Sequence, residues 1–214
     1  YPTHSTSMVV SVTGAHATHV CGMGYEDHHS DGLFGVGRNV WNNPFSNQTM
    51  LCKMSDGSVA RFNEFRRISV DDVRLRLYGT EGSYENGAGH HAWMERGAHV
   101  PEDITALLEC SGVAVQDVTG EMASLRDTET FRDISSVHPV KDLPREFAGL
   151  PNAHRGSHQF LVHEFLSAIE NKTMPANNVW QAARYLVPGL TAHDSAMQGG
   201  VLLSVPDFGD APRK

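Results

Sequence analysis

The chain has 214 residues, 40% of them hydrophobic and 20% charged, with a formal net charge of −8. That balance is globular and excludes a solvated tail. The acidic charge gives counterion-release binding to nucleic acid or to an anionic membrane little to act on, and no apolar run nears the roughly 20 residues of a membrane span.

Tyr1, not Met, opens the sequence, and the polar cluster Tyr1-Pro2-Thr3-His4-Ser5 reads as the start of a piece of a longer protein. Thr3 or Ser5 is the expected cap of a short helix through Met8, Val9, Val10 and Val12, with Gly14 as its stop. The β-branched residues make a strand across 8–12 the alternative. Residues 18–25 read as a strand, and 26–47, polar and rich in Gly and Asn, as a loop-rich insertion. The clearest β signal is a hairpin: 49–54, the turn Ser55-Asp56-Gly57-Ser58, then 59–68, with Asp-Gly supplying positive φ. Val73, Leu75 and Leu77 alternate with Arg74 and Arg76, predicting a half-buried strand, and Gly79-Thr80-Glu81-Gly82 turns the chain into a short strand at 83–85.

From 86 to 154 the sequence is rich in Gly, Pro, Asp, Glu and Ser and is expected mostly as a second loop-rich insertion, with weak helical hints at 104–108 and a turn near Leu143. Leu161, Phe165, Ala168 and Ile169 then recur at helical spacing. After Pro175, Asn177 or Asn178 caps a further helix carrying Val179, Ala183, Leu186, Val187 and Leu190, with Pro188 expected to kink it. Residues 201–205 read as a closing strand before Pro206. A strand meander with helices gathered at the ends is an α+β pattern in one domain, 1–214.

Cys21, Cys52 and Cys110 are odd in number and share no Cys-x-x-Cys spacing, which argues against a disulfide framework and a thiolate zinc site. A reducing cytoplasm is the expected compartment. The pairs His16/His19, His28/His29 and His90/His91 have no metal-ligand spacing, so no metal is assigned. No phosphate-cradling Gly motif occurs, and Gly35-Val36-Gly37 lacks its third glycine and its strand–helix setting. His4 differs from the other histidines: an imidazole at the start of a helix is placed to act as acid or base near neutral pH. Tyr1 adds a phenol, and Pro2 fixes the backbone between. Arg61, Arg66, Arg67, Arg74 and Arg76 read as a solvated or subunit-facing sheet surface, with an anion clamp as the alternative.

Three segments taken together resemble a known family: Tyr1-Pro2-Thr3-His4 with the helix and strand that follow, Leu77-Tyr78-Gly79-Thr80-Glu81-Gly82-Ser83, and His154-Arg155-Gly156-Ser157-His158 leading through two helices to Val205-Pro206-Asp207-Phe208. Their order and spacing resemble the carboxy-terminal domain of the Gfo/Idh/MocA oxidoreductases. The resemblance implies a predominantly antiparallel open sheet with helices packed on one face, used for substrate binding and for homo-oligomer contacts. It implies a sugar or polyol substrate, and NAD or NADP held mainly by an amino-terminal Rossmann domain that is not in this sequence and would be this domain's partner. That domain would carry the Gly-rich dinucleotide loop and the Glu-Lys-Pro lysine, so this chain alone is expected to be inactive.

Residue by residue, the family's active-site His falls on His4, while the Asp common three residues later is Ser7 here. A sister branch, the NAD-dependent α-N-acetylgalactosaminidases, has the same Tyr-Pro-Thr-His stretch, which implies substrate contacts from Tyr1 and His4, with Thr3 between them a further candidate contact. That branch's following Gly-rich residues are Ser5-Thr6-Ser7-Met8 here. His154, Arg155 and His158 fall in a loop that approaches the pocket in such folds, with a polar helix lead-in as the alternative. The readings are an NAD(P)-dependent sugar or polyol oxidoreductase half, an NAD-dependent glycosidase half, or a cofactor-free sugar-binding or assembly module.

Overall fold

The computed structural model describes residues 2–69, 73–87, 89–108, 138–150 and 152–212, with Arg155 described by its backbone alone. In chain order the elements are α1 (Pro2–Thr13), β1 (Ala17–Glu26), β2 (Phe45–Met54), β3 (Val59–Phe65), β4 (Arg76–Tyr78), β5 (Gly82–Gly87), β6 (His90–Glu95), β7 (Glu102–Asp103), α2 (Ser157–Asn171), α3 (Val179–Met197) and β8 (Leu203–Ser204), with four short 3-10 turns between β7 and α2. They fall into two compact units, Tyr1–Leu75 with Ala176–Lys214, and Arg76–Pro175. Every strand pairing among the described residues is antiparallel, so the α+β class holds.

The first unit is a four-stranded sheet, order β3-β2-β1-β8, with α1 and α3 packed on it. The expected hairpin is present. Gly57 sits at φ 87, and Asp56 Oδ1 accepts hydrogen bonds from the Ser58 amide and hydroxyl. The turn sets a register pairing Cys52 with Ala60 and Met50 with Phe62, so the period-2 apolar residues of both strands lie on one face. On that face Val20, Met50, Cys52, Met54 and Phe62 pack with Val10 and Ala192. Burial pushes the Cys52 thiol up to about 12, which makes it an inert core residue.

Glycine permits the close approach of α3. A Cβ at Gly22 would lie 2.4 Å from the Ala192 carbonyl oxygen. Because β8 pairs with β1 only at His19 and Val20, the Gly22 amide lies past the paired stretch and donates instead to the buried Ser195 hydroxyl, at 3.0 Å. Ser195 in turn donates to the Val201 carbonyl at 2.5 Å, tying helix, strand and following turn together. The closing strand is therefore shorter than the expected 201–205.

The second unit is a β-meander, order β4-β5-β6-β7, with the 3-10 turns and α2. Trp93 lies where a side chain on Gly82 would sit, since a Cβ there would meet its ring at 2.5 Å. A small core joins Val140 and Leu143 to Phe147 and Phe160.

Four expectations need correction. Helix α1 starts at Pro2, not after a Thr3 or Ser5 cap, because proline presets the helical φ and lacks an amide hydrogen that a first turn leaves without a partner anyway. The stretch 86–154, expected as loop, supplies the end of β5, all of β6 and β7, and the 3-10 turns; its residues 109–137 lie outside the described residues. The strand expected from Val73 begins only at Arg76. Arg67 is not a merely solvated sheet arginine but half-buried and paired: its Nε donates to Asp27 at 2.7 Å, and it also pairs with Asp31. No helix among the described residues is long and apolar enough to cross a membrane.

Candidate functional site

Helix α1 is fastened on its inner side. Pro2 packs so closely on α3 that a Cβ at Gly189 would fall 1.9 Å from Pro2 Cβ. Thr6 is buried, and its hydroxyl lies within hydrogen-bond reach of the Pro2 carbonyl, at 2.9 Å, and of the Tyr185 carbonyl on α3. On the β3 side the Ser5 hydroxyl can donate to the Asn63 carbonyl at 3.0 Å or to Glu64 Oε2 at 2.8 Å. With positions 2, 5, 6 and 10 turned inward, the helical period leaves Thr3 and His4 on the exposed side of the first turn.

Beside this turn, on the helix-covered face of the sheet, is a cleft of about 50 Å³ lined by Pro2, Ser5, Gln48, Phe62, Glu64 and Gly189 among others. Its polar lining residues include Ser5, Gln48 and Glu64. Arg66 Nη2 pairs with Glu64 Oε1 at 2.9 Å, and the Gln48 amide nitrogen lies 3.4 Å from His193 Nδ1. A carboxylate accepts and an amide both donates and accepts, so the set suits hydroxyl-rich ligands. The volume takes a few waters or a hydroxymethyl-sized group, and so provides one subsite, not a whole sugar pocket.

Gln48 and Glu64 were not picked out from the sequence, although a signal was there. The buried face reads Met54, Cys52, Met50, Gln48 along β2 and Ala60, Phe62, Glu64 along β3, and Gln48 pairs with Glu64. Both apolar series turn polar at one level of the hairpin, which marks a hydrated end of the core.

Of the expected site residues, Tyr1 lies outside the described residues, while Thr3 and His4 share the exposed turn of α1. His154, Arg155 and His158 belong to the other compact unit. There His154 sits at φ 51 in a 3-10 turn, its ring stacked on His158 with centroids 4.8 Å apart and planes 28° off parallel. Face-to-face rings do not aim their nitrogens at a common point. The Asn152 side chain holds this turn, donating to the Gly156 carbonyl at 3.1 Å and accepting from the Ala153 amide at 3.0 Å. Among the described residues no group of three His, Cys, Asp or Glu side chains is placed to hold a metal ion.

No known protein-family profile and no curated protein matches the sequence. Solved structures do match. Levoglucosan dehydrogenase in complex with NADH and L-sorbose is 13% identical, with a TM-score of 0.57 over 97% of this chain and 49% of the other. An inositol dehydrogenase homolog from Azotobacter vinelandii, complexed with NADH and myo-inositol, is 13% identical, with a TM-score of 0.53 over 95% and 48%. UDP-N-acetylglucosamine 3-dehydrogenase from Acidithiobacillus ferrooxidans is 12% identical, with a TM-score of 0.53 over 90% and 44%. The chain thus spans about half the length of these proteins and has the fold of that half, so the resemblance to the Gfo/Idh/MocA carboxy-terminal domain holds as a likeness of fold.

Proposed function

We propose that this chain is the substrate-binding and subunit-contact part of an NAD(P)-dependent oxidoreductase acting on a sugar or polyol. The observation that carries this reading is the first turn of α1: a rigidly anchored helix presents His4 one residue from Ser5, which lines a cleft with the hydroxyl-binding groups of Gln48 and Glu64. In this reading His4 accepts the proton of a substrate hydroxyl, Thr3 and Tyr1 contact the sugar beside it, and the cleft orients a neighbouring hydroxyl. His154, Arg155 and His158 are proposed as further substrate contacts. The described residues form no parallel strand–turn–helix unit suited to a dinucleotide's phosphates, so NAD or NADP is assigned to a separate Rossmann half and no step is derived through it.

The sheet face opposite the helices carries Met23, Tyr25, Leu51, Val59 and Phe65, all exposed, and self-association through it is part of the proposal. A second reading keeps the fold and changes the reaction to NAD-dependent glycoside cleavage, favoured by the Tyr1-to-His4 stretch. Turnover of an aryl glycoside without added coenzyme by the product of the complete gene separates the two.

The test of the main reading is His4→Ala. Coenzyme-dependent polyol oxidation by the complete gene product should fall by about 10² or more in kcat/KM, the range of a lost general base, with the melting temperature unchanged. A parallel loss of turnover and of melting temperature would make His4 a structural residue.

A further inference from the structure

Gln48 lines the cleft from β2, and its amide nitrogen lies 3.4 Å from Nδ1 of His193 on α3. The His193 ring is itself fixed. Phe45 meets it edge to face, with centroids 6.1 Å apart and planes 71° apart, and Phe45 fills the space that a side chain on Gly24 would take, since a Cβ there would come within 2.2 Å of its ring. Gly24, Phe45, His193 and Gln48 thus form one contact series that ends at the cleft, all within the unit that carries the first sheet. A neutral imidazole with its proton on Nε2 offers Nδ1 as an acceptor, and an amide N–H donated to it turns Gln48 Oε1 the other way.

The neighbouring groups have the same polarity. Ser5 has one hydroxyl hydrogen, and the Glu64 carboxylate and the Asn63 carbonyl both lie within its reach, so that hydrogen is used inside the protein and only lone pairs are left for a ligand. The Glu64 carboxylate accepts and does not donate. We propose that His193 is a positioning residue that fixes Gln48 as an acceptor, making the cleft a subsite that selects a terminal hydroxymethyl group over a methyl or a carboxylate at the same carbon. This deepens the reading of the chain as the substrate-binding part of a sugar or polyol oxidoreductase, and rests on it. A hydroxymethyl group also matches the walls: its methylene meets Pro2, Met50 and Phe62, and its O–H has an amide or carboxylate oxygen to donate to. A methyl group there leaves the Gln48 oxygen without a donor, and a carboxylate brings two more acceptors to a set of acceptors.

Kinetics of the complete gene product on glucose, galactose and mannitol, each beside its terminal deoxy and terminal carboxylate forms, test the subsite. Expected is a preference of about 10-fold or more in kcat/KM for the hydroxymethyl form. His193→Leu should reduce that preference several-fold, and His193→Asn, whose Oδ1 keeps an acceptor close to the place of Nδ1, should restore it. A merely structural role would lower kcat/KM alike for all three forms and leave their ratios unchanged. In the 214-residue chain, nitrogen NMR of the His193 ring should find Nδ1 without a proton, and a protonated Nδ1 would overturn its role as acceptor. Ratios equal in wild type and His193→Leu, or a preference for the carboxylate form, would overturn the subsite and leave the functional reading standing. A gene product that oxidises no member of the panel would sink that reading, and the subsite with it.

Discussion

Asp27, at the start of the loop between β1 and β2, is a carboxylate with 1% of its side chain exposed. Burial alone would raise its proton affinity, but the Arg67 guanidinium, then the His29 amide and ring, hydrogen-bond it and hold it far below the ordinary carboxylate value of 3.8. Arg67 also binds Asp31, so one guanidinium pins two points of the loop. A carboxylate whose folded-state value is depressed stabilises the fold fully above its unfolded value, near pH 4, and loses that contribution as pH falls toward the folded value. The melting-temperature gap between wild type and Asp27→Asn should therefore shrink on acidification below about pH 4. A gap that widens in acid would show that the ionised form is not what holds the loop. The sequence could not reveal this clamp, because Arg67 reads as one of a run of strand arginines and its partners are 40 and 36 residues away. The Asn178 cap was legible: its side chain accepts from the Gln181 amide at 3.1 Å, three residues on, a distance set by local geometry alone.

Elements repeat that contrast between local and distant causes. The hairpin, α2 and α3 follow from periodicity and turn residues, and were expected close to where they lie. Of the second sheet, β4 and β5 were expected, whereas β6 and β7 were missed because β6 is only six residues, His90–Glu95, and β7 only two, too short for alternation to rise above the Gly- and His-rich surroundings. The placement of α1 was not readable either, since it depends on a contact between Pro2 and Gly189 across nearly the whole chain. That contact makes the sign of one substitution informative. Gly189→Ala should stabilise α3 by up to about 1 kcal/mol on propensity alone, yet the overpacking against Pro2 should cost about 1–3 kcal/mol. We expect a net loss in urea denaturation, and recovery in the Pro2→Gly, Gly189→Ala double variant as a coupling energy. A stabilised Gly189→Ala protein would mean that α1 does not rest on α3 through this contact, and the proposed position of His4 would go with it.

At the scale of the whole chain, the two units differ in how much core each owns. Among the described residues, the first buries nine apolar side chains in one cluster, whereas the second joins two buried and two half-buried ones. Hydrophobic stabilisation follows buried apolar area, so the Arg76–Pro175 unit should unfold at lower temperature than the sheet carrying α1 and α3. Scanning calorimetry should resolve two transitions, assignable by one core truncation in each unit. Met54, 4% exposed, belongs to the first cluster and Leu143, 6% exposed, to the second. Either change to Ala should cost about 2–5 kcal/mol, the range for a buried Met or Leu. Met54→Ala should lower only the upper transition, and Leu143→Ala only the lower. If one transition responds to both, the units fold as one cooperative body, and His154, His158 and α2 would share the stability of the sheet that carries His4.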